Sequence, residues 1–391
     1  MLDQYSCHHH GRGSATLKTA VWAWRLHRAL VDRVGYLRPF SKRTAHKRLL
    51  FISEHDPICH AQLFPFFYHA HDIAQRHDME MRELPFARFK QGHHPYLGQV
   101  DAVCFQTWFD LTPETMDALA KQIHATWPNA KIAYFDWFAP TDLRYAEVLD
   151  PHIVAYVKKQ IFKDLNQYSH STLGDTNLMD YYSRGLKTGL QETHYIFPDG
   201  FKNKLLPGTH FAFTDPMLTY FLKSFPTQKN RSIDLHARIA VKGTEWYTRM
   251  RQIALDKSTA LEGRLNVMCR GRVTRKKFFK ELFDSKLCFS PFGYGEVCWR
   301  DFEAMFTGSL LLKPDMSHLT CYPEVFFPNE TYVSLAWDLS DFEEKVDFYL
   351  ANPQERERIT RNAFEVINNC FKQKKFLEDV LPLLTLLEVA A

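Results

Sequence analysis

Apolar and polar positions alternate in two rhythms along the chain. Short, nearly uninterrupted apolar runs at residues 49–53, 102–106 and 131–135 have the length and the branched or aromatic content of buried strands. Between them, residues 64–76 and a stretch from Thr112 to about 126 carry apolar positions at the helical period. The second opens with a Thr-Pro-Glu-Thr cap. After a gap the rhythm returns, with strands at 233–239, 265–269, 286–290 and 310–312, and helices at 245–257, 274–283 and from 299 to the glycine at 308. Beyond 333–335, residues 342–351 and 353–371 read as helices. Strands that alternate with helices predict parallel, doubly wound sheets. The fold class expected is α/β, as two Rossmann-like domains facing a cleft, with ligands at the carboxyl ends of the strands.

Segments outside these series set the domain limits. Residues 1–45 form a basic amphipathic extension, in which 17–37 reads as a helix with Trp22, Trp24, Leu26, Leu30 and Val31 among Arg25, Arg28 and Arg33. Lys42, Arg43, Lys47 and Arg48 follow it. Such a helix suits an anionic membrane surface, but packing on the body of its own protein is the more general tendency of amphipathic helices. The first domain is placed at 46–225 and the second at 226–372, with 373–391 an apolar helix that packs back on the body. Within the first, 152–165 reads as helical and 168–180 as polar and turn-rich. Pro198-Asp-Gly200, Leu206-Pro-Gly208 and 225–230 read as irregular connection.

Composition narrows the class. A hydrophobic content of 45% and an aromatic content of 15% over 391 residues supply ample cores and exclude a disordered chain. A net charge of +4 permits an anionic ligand without announcing a nucleic-acid binder. The eight cysteines are scattered with no CxxC pair, which favours a reducing compartment. No apolar run is long enough to span a membrane, and the start of the chain lacks the pattern of a secretory signal. The expected location is cytoplasmic, with residues 17–48 suited to peripheral contact at the inner membrane face.

The densest chemistry lies in Ser290-Pro-Phe-Gly-Tyr-Gly-Glu-Val-Cys-Trp-Arg-Asp-Phe-Glu303. Here a strand runs into a loop holding Gly293, Tyr294 and Gly295, and a helix follows whose first N–H groups point at whatever sits there. Arg300 and Glu303, three apart, share one flank of that helix. Arg238 and Lys242 follow the strand at 233–239, and Arg270 and Arg272 follow the strand at 265–269. Singly, each cation is an ordinary surface charge. At matching ends of a parallel sheet they converge on one edge and suit a diphosphate or nucleotide, with Glu303 toward ribose hydroxyls. In the first half, His55, Asp56 and Asp136 stand just past strands, where a base could deprotonate a hydroxyl. Asp56, followed by a proline, equally caps a turn. The chain has no Asp-x-Asp clamp, no zinc spacing, no phosphate-loop signature and no Gly-x-Ser-x-Gly, so no metal and no other cofactor is expected.

Residues 284–293, 299–308 and the strand at 309–312 resemble the donor-binding half of GT-B-fold glycosyltransferases. The likeness is greatest to exostosin-like enzymes and bacterial surface-polysaccharide transferases, and extends over about 231–370. In that resemblance the loop-helix unit holds a sugar nucleotide, with Glu303 near ribose and basic residues near phosphate, commonly without a metal. Lys313-Pro314 departs from the family's usual strand, and the glycine loop lacks the paired glycines of retaining members, which leaves stereochemistry open. The resemblance implies transfer of a sugar from a nucleotide-sugar to a hydroxyl of a glycan or lipid-linked glycan. The first domain would then lie on the acceptor side. The alternative is a non-catalytic nucleotide- or carbohydrate-binding module on the same fold.

Overall fold

A computed structural model describes residues 38–41, 46–54, 56–92, 94–184, 189–227 and 230–389. The helix expected at 17–37 lies outside the described residues, as does His55.

Nine strands belong to the first half of the described chain: β1 (Lys47–Ser53), β2 (Met79–Pro85), β3 (Ala102–Phe105), β4 (Lys131–Asp136), β5 (Ala155–Lys158), β6 (Gln160–Phe162), β7 (Thr172–Leu173), β8 (Glu192–Thr193) and β9 (Leu205–Pro207). Six of them form a parallel sheet in the order β2-β1-β3-β4-β5-β9. The second half adds β10 (Ile233–His236), β11 (Val267–Met268), β12 (Ser285–Phe289), β13 (Leu310–Pro314), β14 (Leu319–Cys321) and β15 (Val333–Leu335). Five of these form a second parallel sheet, β11-β10-β12-β13-β15. Each sheet therefore begins at an inner strand, steps to one side, then crosses back and runs to the other. That reversal puts a topological switch point between β1 and β3 and another between β10 and β12, where open α/β sheets leave a crevice for ligands.

Both sheets are covered on two faces, so their strands are apolar almost throughout. In β1, Leu49 and Phe51 join the cluster on one face while Leu50 and Ile52 join that on the other. The last described segment returns to the first sheet. Phe376, Val380, Leu383 and Leu384 pack on Leu49, Phe51 and Phe135, with the Phe66 and Phe376 rings 4.9 Å apart. The opposite core face is continuous from the first sheet into the second domain and takes in Phe279, Phe302 and Phe306. The domains are joined by an antiparallel ladder of β6 and β14, with Leu319 opposite Phe162 and Cys321 opposite Gln160.

Three local readings are corrected. Residues 152–165 form β5 and β6, not a helix, because a slot between β4 and β9 buries all four residues of β5 and pairing overrides the local pattern. The helix expected at 64–76 is two helices, Pro57–Tyr68 and Ala70–His77, that meet at His69. β9 lies where irregular connection was expected, a three-residue edge strand that ends in proline. Among the described residues, no helix is long and apolar enough to cross a membrane.

Candidate functional site

The carboxyl ends of β10 and β12 lead into loops that are closed on one another by side chains. Arg300, in the first turn of helix Trp299–Thr307, donates from Nη1 to the Phe289 carbonyl at 3.4 Å and from Nη2 to the Arg238 carbonyl. Arg251, on helix Glu245–Thr259, donates to the Ala240 carbonyl at 3.2 Å and the Phe292 carbonyl at 3.1 Å. Tyr294 stacks on Tyr247 with centroids 4.2 Å apart and planes 5° apart, and its hydroxyl accepts from the Thr244 N–H. Gly243 passes beneath that hydroxyl, and a Cβ there would stand 2.5 Å from it. Two guanidinium groups thus face the switch point of the second sheet, and the Nε of Arg300 is buried without a partner.

Helix Trp299–Thr307 owes its start to Asp301. This carboxylate accepts from the Cys298 N–H at 2.8 Å and from the Ser290 hydroxyl at 2.6 Å, and pairs with Lys313 at 3.1 Å. All of this lies in the interior, with both Asp301 and Lys313 fully buried. The helix ends on Gly308 in the left-handed region at φ 72°. One turn in, Glu303 is buried and faces Arg275 at 3.4 Å. Burial pushes its carboxyl above the usual range, against the opposing pull of Arg275 and Arg300.

The glycine loop also meets the first domain. A Cβ on Gly295 would lie 1.8 Å from the Ala139 carbonyl oxygen, so the loop needs glycine there for the approach of the two domains rather than of a ligand. Beside it the fully buried Glu296 accepts from the Thr141 hydroxyl at 2.9 Å and the Asn177 amide at 2.9 Å, and stands 3.6 Å from His318. Burial pushes Glu296 toward neutrality, but His318, Asn177 and Thr141 outweigh it and hold the carboxyl below its ordinary range. Asn177 also lines a cavity of about 290 Å³ in the first domain, edged by Asp142, Tyr168, Asp175, Tyr195 and Phe197. The Tyr168 and Phe197 rings stack at 5.5 Å.

Several expected roles change. Arg238 turns its guanidinium to Glu281, at 2.5 and 2.8 Å, because helix Arg275–Phe283 sets that carboxylate opposite the end of β10. Arg270 is an exposed ion pair with Glu262 at 2.7 Å. Asp56 caps helix Pro57–Tyr68 by accepting from the Ile58 N–H at 2.8 Å. Asp136 is wholly buried and saturated by Lys158 at 2.9 Å, the Tyr156 hydroxyl at 2.6 Å and the Phe138 N–H at 2.9 Å, which leaves no approach for an acceptor hydroxyl. Lys242 and Arg272 are exposed and carry no ion pair among the described residues. Gly293, Tyr294, Arg300 and Glu303 do gather at one edge with the backbone of Arg238. Sequence reasoning passed over Glu296 and Lys159. Glu296 directly follows the glycine loop, and Lys159 is a second lysine at the end of a buried strand, a readable anomaly. Among the described residues, no group of three or more His, Cys, Asp or Glu side chains is placed to hold a metal ion.

Residues 221–378 match the family model described as glycosyl transferase-like. Three solved structures are similar in architecture. Sucrose-phosphate synthase of Thermosynechococcus elongatus is 11% identical, with 86% of this chain and 99% of that chain covered and a TM-score of 0.45. A glycosyltransferase of Rickettsia africae is 10% identical, with 87% and 99% covered and a TM-score of 0.41. UDP-GlcNAc 2-epimerase of Neisseria meningitidis, bound to UDP-GlcNAc, is 9% identical, with 85% and 99% covered and a TM-score of 0.40. The comparison with curated proteins gives no match. The chain thus folds as two Rossmann-like domains, and the second, with its loop-helix unit at the switch point, is the part similar to the glycosyl transferase-like family.

Proposed function

We propose that the protein transfers a sugar from a nucleotide-sugar donor to a hydroxyl of a glycan or lipid-linked glycan, and does so without a metal. The observation that carries this reading is the edge where β10 and β12 end. There Arg251 and Arg300 stand beside the amino end of helix Trp299–Thr307, with the buried carboxyl of Glu303 one turn behind. Cations and a helix amino end stabilise a departing nucleotide phosphate, where negative charge grows in the transition state. Glu303 is the acceptor of hydrogen bonds from ribose hydroxyls. The ring-lined cavity beside Asn177 takes the acceptor sugar, since stacked aromatic rings with flanking carboxylates suit a ligand of apolar faces and hydroxyl edges. With Asp56 and Asp136 engaged elsewhere, His55 is the remaining candidate for a base.

A cytoplasmic enzyme whose residues 17–48 touch the inner membrane face accords with a lipid-linked acceptor; flotation on anionic vesicles, lost on removing residues 1–45, checks it. The donor is tested by thermal shift against UDP, GDP, CMP and dTDP, because a ligand of the folded state raises apparent stability. Stabilisation by one of them, followed by metal-independent consumption of its sugar derivative in EDTA, is the expected result. No shift with any of the four removes the donor assignment.

A further inference from the structure

We propose that Lys159, in the first domain, completes the phosphate site at the amino end of helix Trp299–Thr307, so that a diphosphate is held by both domains at once. This rests on the donor reading above and adds the residue that closes the site from the opposite side. Lys159 is 3% exposed. Its ammonium makes no hydrogen bond or ion pair among the described residues and sits 4.8 Å from the centroid of Phe211. That ring stacks at 4.4 Å on Trp299, the first residue of the helix.

The charge count around the helix start is unbalanced. Cys298, the N-cap, lies within electrostatic reach of Lys159, Arg251, Arg300 and Lys313. Lys313 is answered by Asp301 and Glu303 is answered by Arg275. The neighbouring Lys158 is answered by Asp136. Lys159 remains without an ion-pair partner among the described residues, and the carboxylates that attract it, Asp136 and Glu296, are engaged with Lys158 and with Thr141, Asn177 and His318. His210, the other titratable neighbour of Lys159, is pushed down to about 3 by burial and stays neutral. A cation at the positive end of a helix dipole is repelled by it. Burial also strips an ammonium of part of its hydration. Burial and Lys158 accordingly push Lys159 down to about 8. An anion carrying two or three charges reverses each of these terms, and a diphosphate is such an anion.

The test compares the full chain with Lys159→Met by calorimetry, using inorganic pyrophosphate and then UDP, GDP and dTDP, alongside thermal unfolding without ligand. The expected result is at least a tenfold loss of affinity for pyrophosphate and for the nucleotide that binds, with unliganded Lys159→Met melting at the same or a higher temperature. A lysine that merely supports the fold gives the reverse, a lower melting point with affinity unchanged. Should Lys159→Met both melt lower and bind more weakly, Lys159→Gln against Lys159→Arg decides. A tenfold difference in favour of arginine supports the proposal, and equal affinities overturn it. Unchanged affinity in Lys159→Met overturns the role of Lys159 and leaves the donor reading standing. Failure of the wild-type protein to bind pyrophosphate or any of the nucleotides overturns both.

Discussion

The two sheets share a strand order, and each buries a lysine-aspartate pair at its carboxyl edge, yet the edges are built for different work. In the first, Lys158 and Asp136 lie 2.9 Å apart, with the ammonium 5.7 Å from the Phe138 ring centroid. In the second, Lys313 and Asp301 lie 3.1 Å apart, with the ammonium 5.2 Å from the Phe292 ring centroid. The first pair ties neighbouring strands together and ends there. The second fixes the start of a helix whose free N–H groups point out of the sheet, and it leaves Arg251 and Arg300 to gather around them. At the first edge the exposed groups are rings instead, Trp108 at 37% and Phe109 at 50% exposure beyond β3. The first edge thus exposes aromatic rings, whereas the second sets the Tyr247–Tyr294 stack beside two guanidinium groups.

The largest effects fall on the paired lysines. Lys158→Met and Lys313→Met each leave a buried carboxylate without its counter-charge, and each should lower unfolding free energy by about 3–5 kcal/mol in denaturant titrations. If the edges differ as argued, restoring neutrality with Asp136→Asn beside Lys158→Met recovers much of the loss. Asp301→Asn beside Lys313→Met recovers less, because the carboxylate also caps the helix. Next is Gly295→Ala, which sets a Cβ against the Ala139 carbonyl and strains the contact between domains. It should cost roughly 1–3 kcal/mol and lower the melting temperature without changing the isolated loop chemistry.

Glu303→Gln separates stability from binding. The folded carboxyl is raised above its unfolded value, so the folded state holds more protons and stability falls as pH rises above about 4.5. Glutamine removes that loss and should melt higher than wild type at pH 7.5, while nucleotide affinity drops severalfold. A variant that melts lower and binds equally well would show Glu303 to be a structural partner of Arg275. The smallest effect is expected of Arg270→Ala, whose ion pair with Glu262 is exposed and remote in function. Its nucleotide affinity and melting temperature should match wild type.

Much of the fold was legible because parallel strands buried on both faces leave unbroken apolar runs, as in β1, β3 and β13. β2 escaped because Met-Glu-Met-Arg-Glu-Leu-Pro is an edge strand with a mixed pattern, and β5 because its pairing with β4 and β9 decides its form. The site was legible as an edge and not as a set of contacts. Arg300 and Glu303 are read correctly to their helix, but nothing in the order of residues shows that Glu281 turns toward Arg238 or that Asp136 meets Lys158 and Tyr156. Those partners are distant along the chain and come together only through the crossovers. At Gly295 the sequence reports a close approach without naming what approaches, which in the structure is the Ala139 carbonyl.

The central claim is that a nucleotide diphosphate sits where β10 and β12 end. Hydrogen exchange of the full chain with and without the nucleotide that stabilises it tests this most directly, since the amides concerned are named in advance. Protection confined to residues 237–244 and 290–301, with a smaller effect at 157–160, is the result the account predicts. Protection elsewhere, with those segments exchanging as in the free protein, would contradict it.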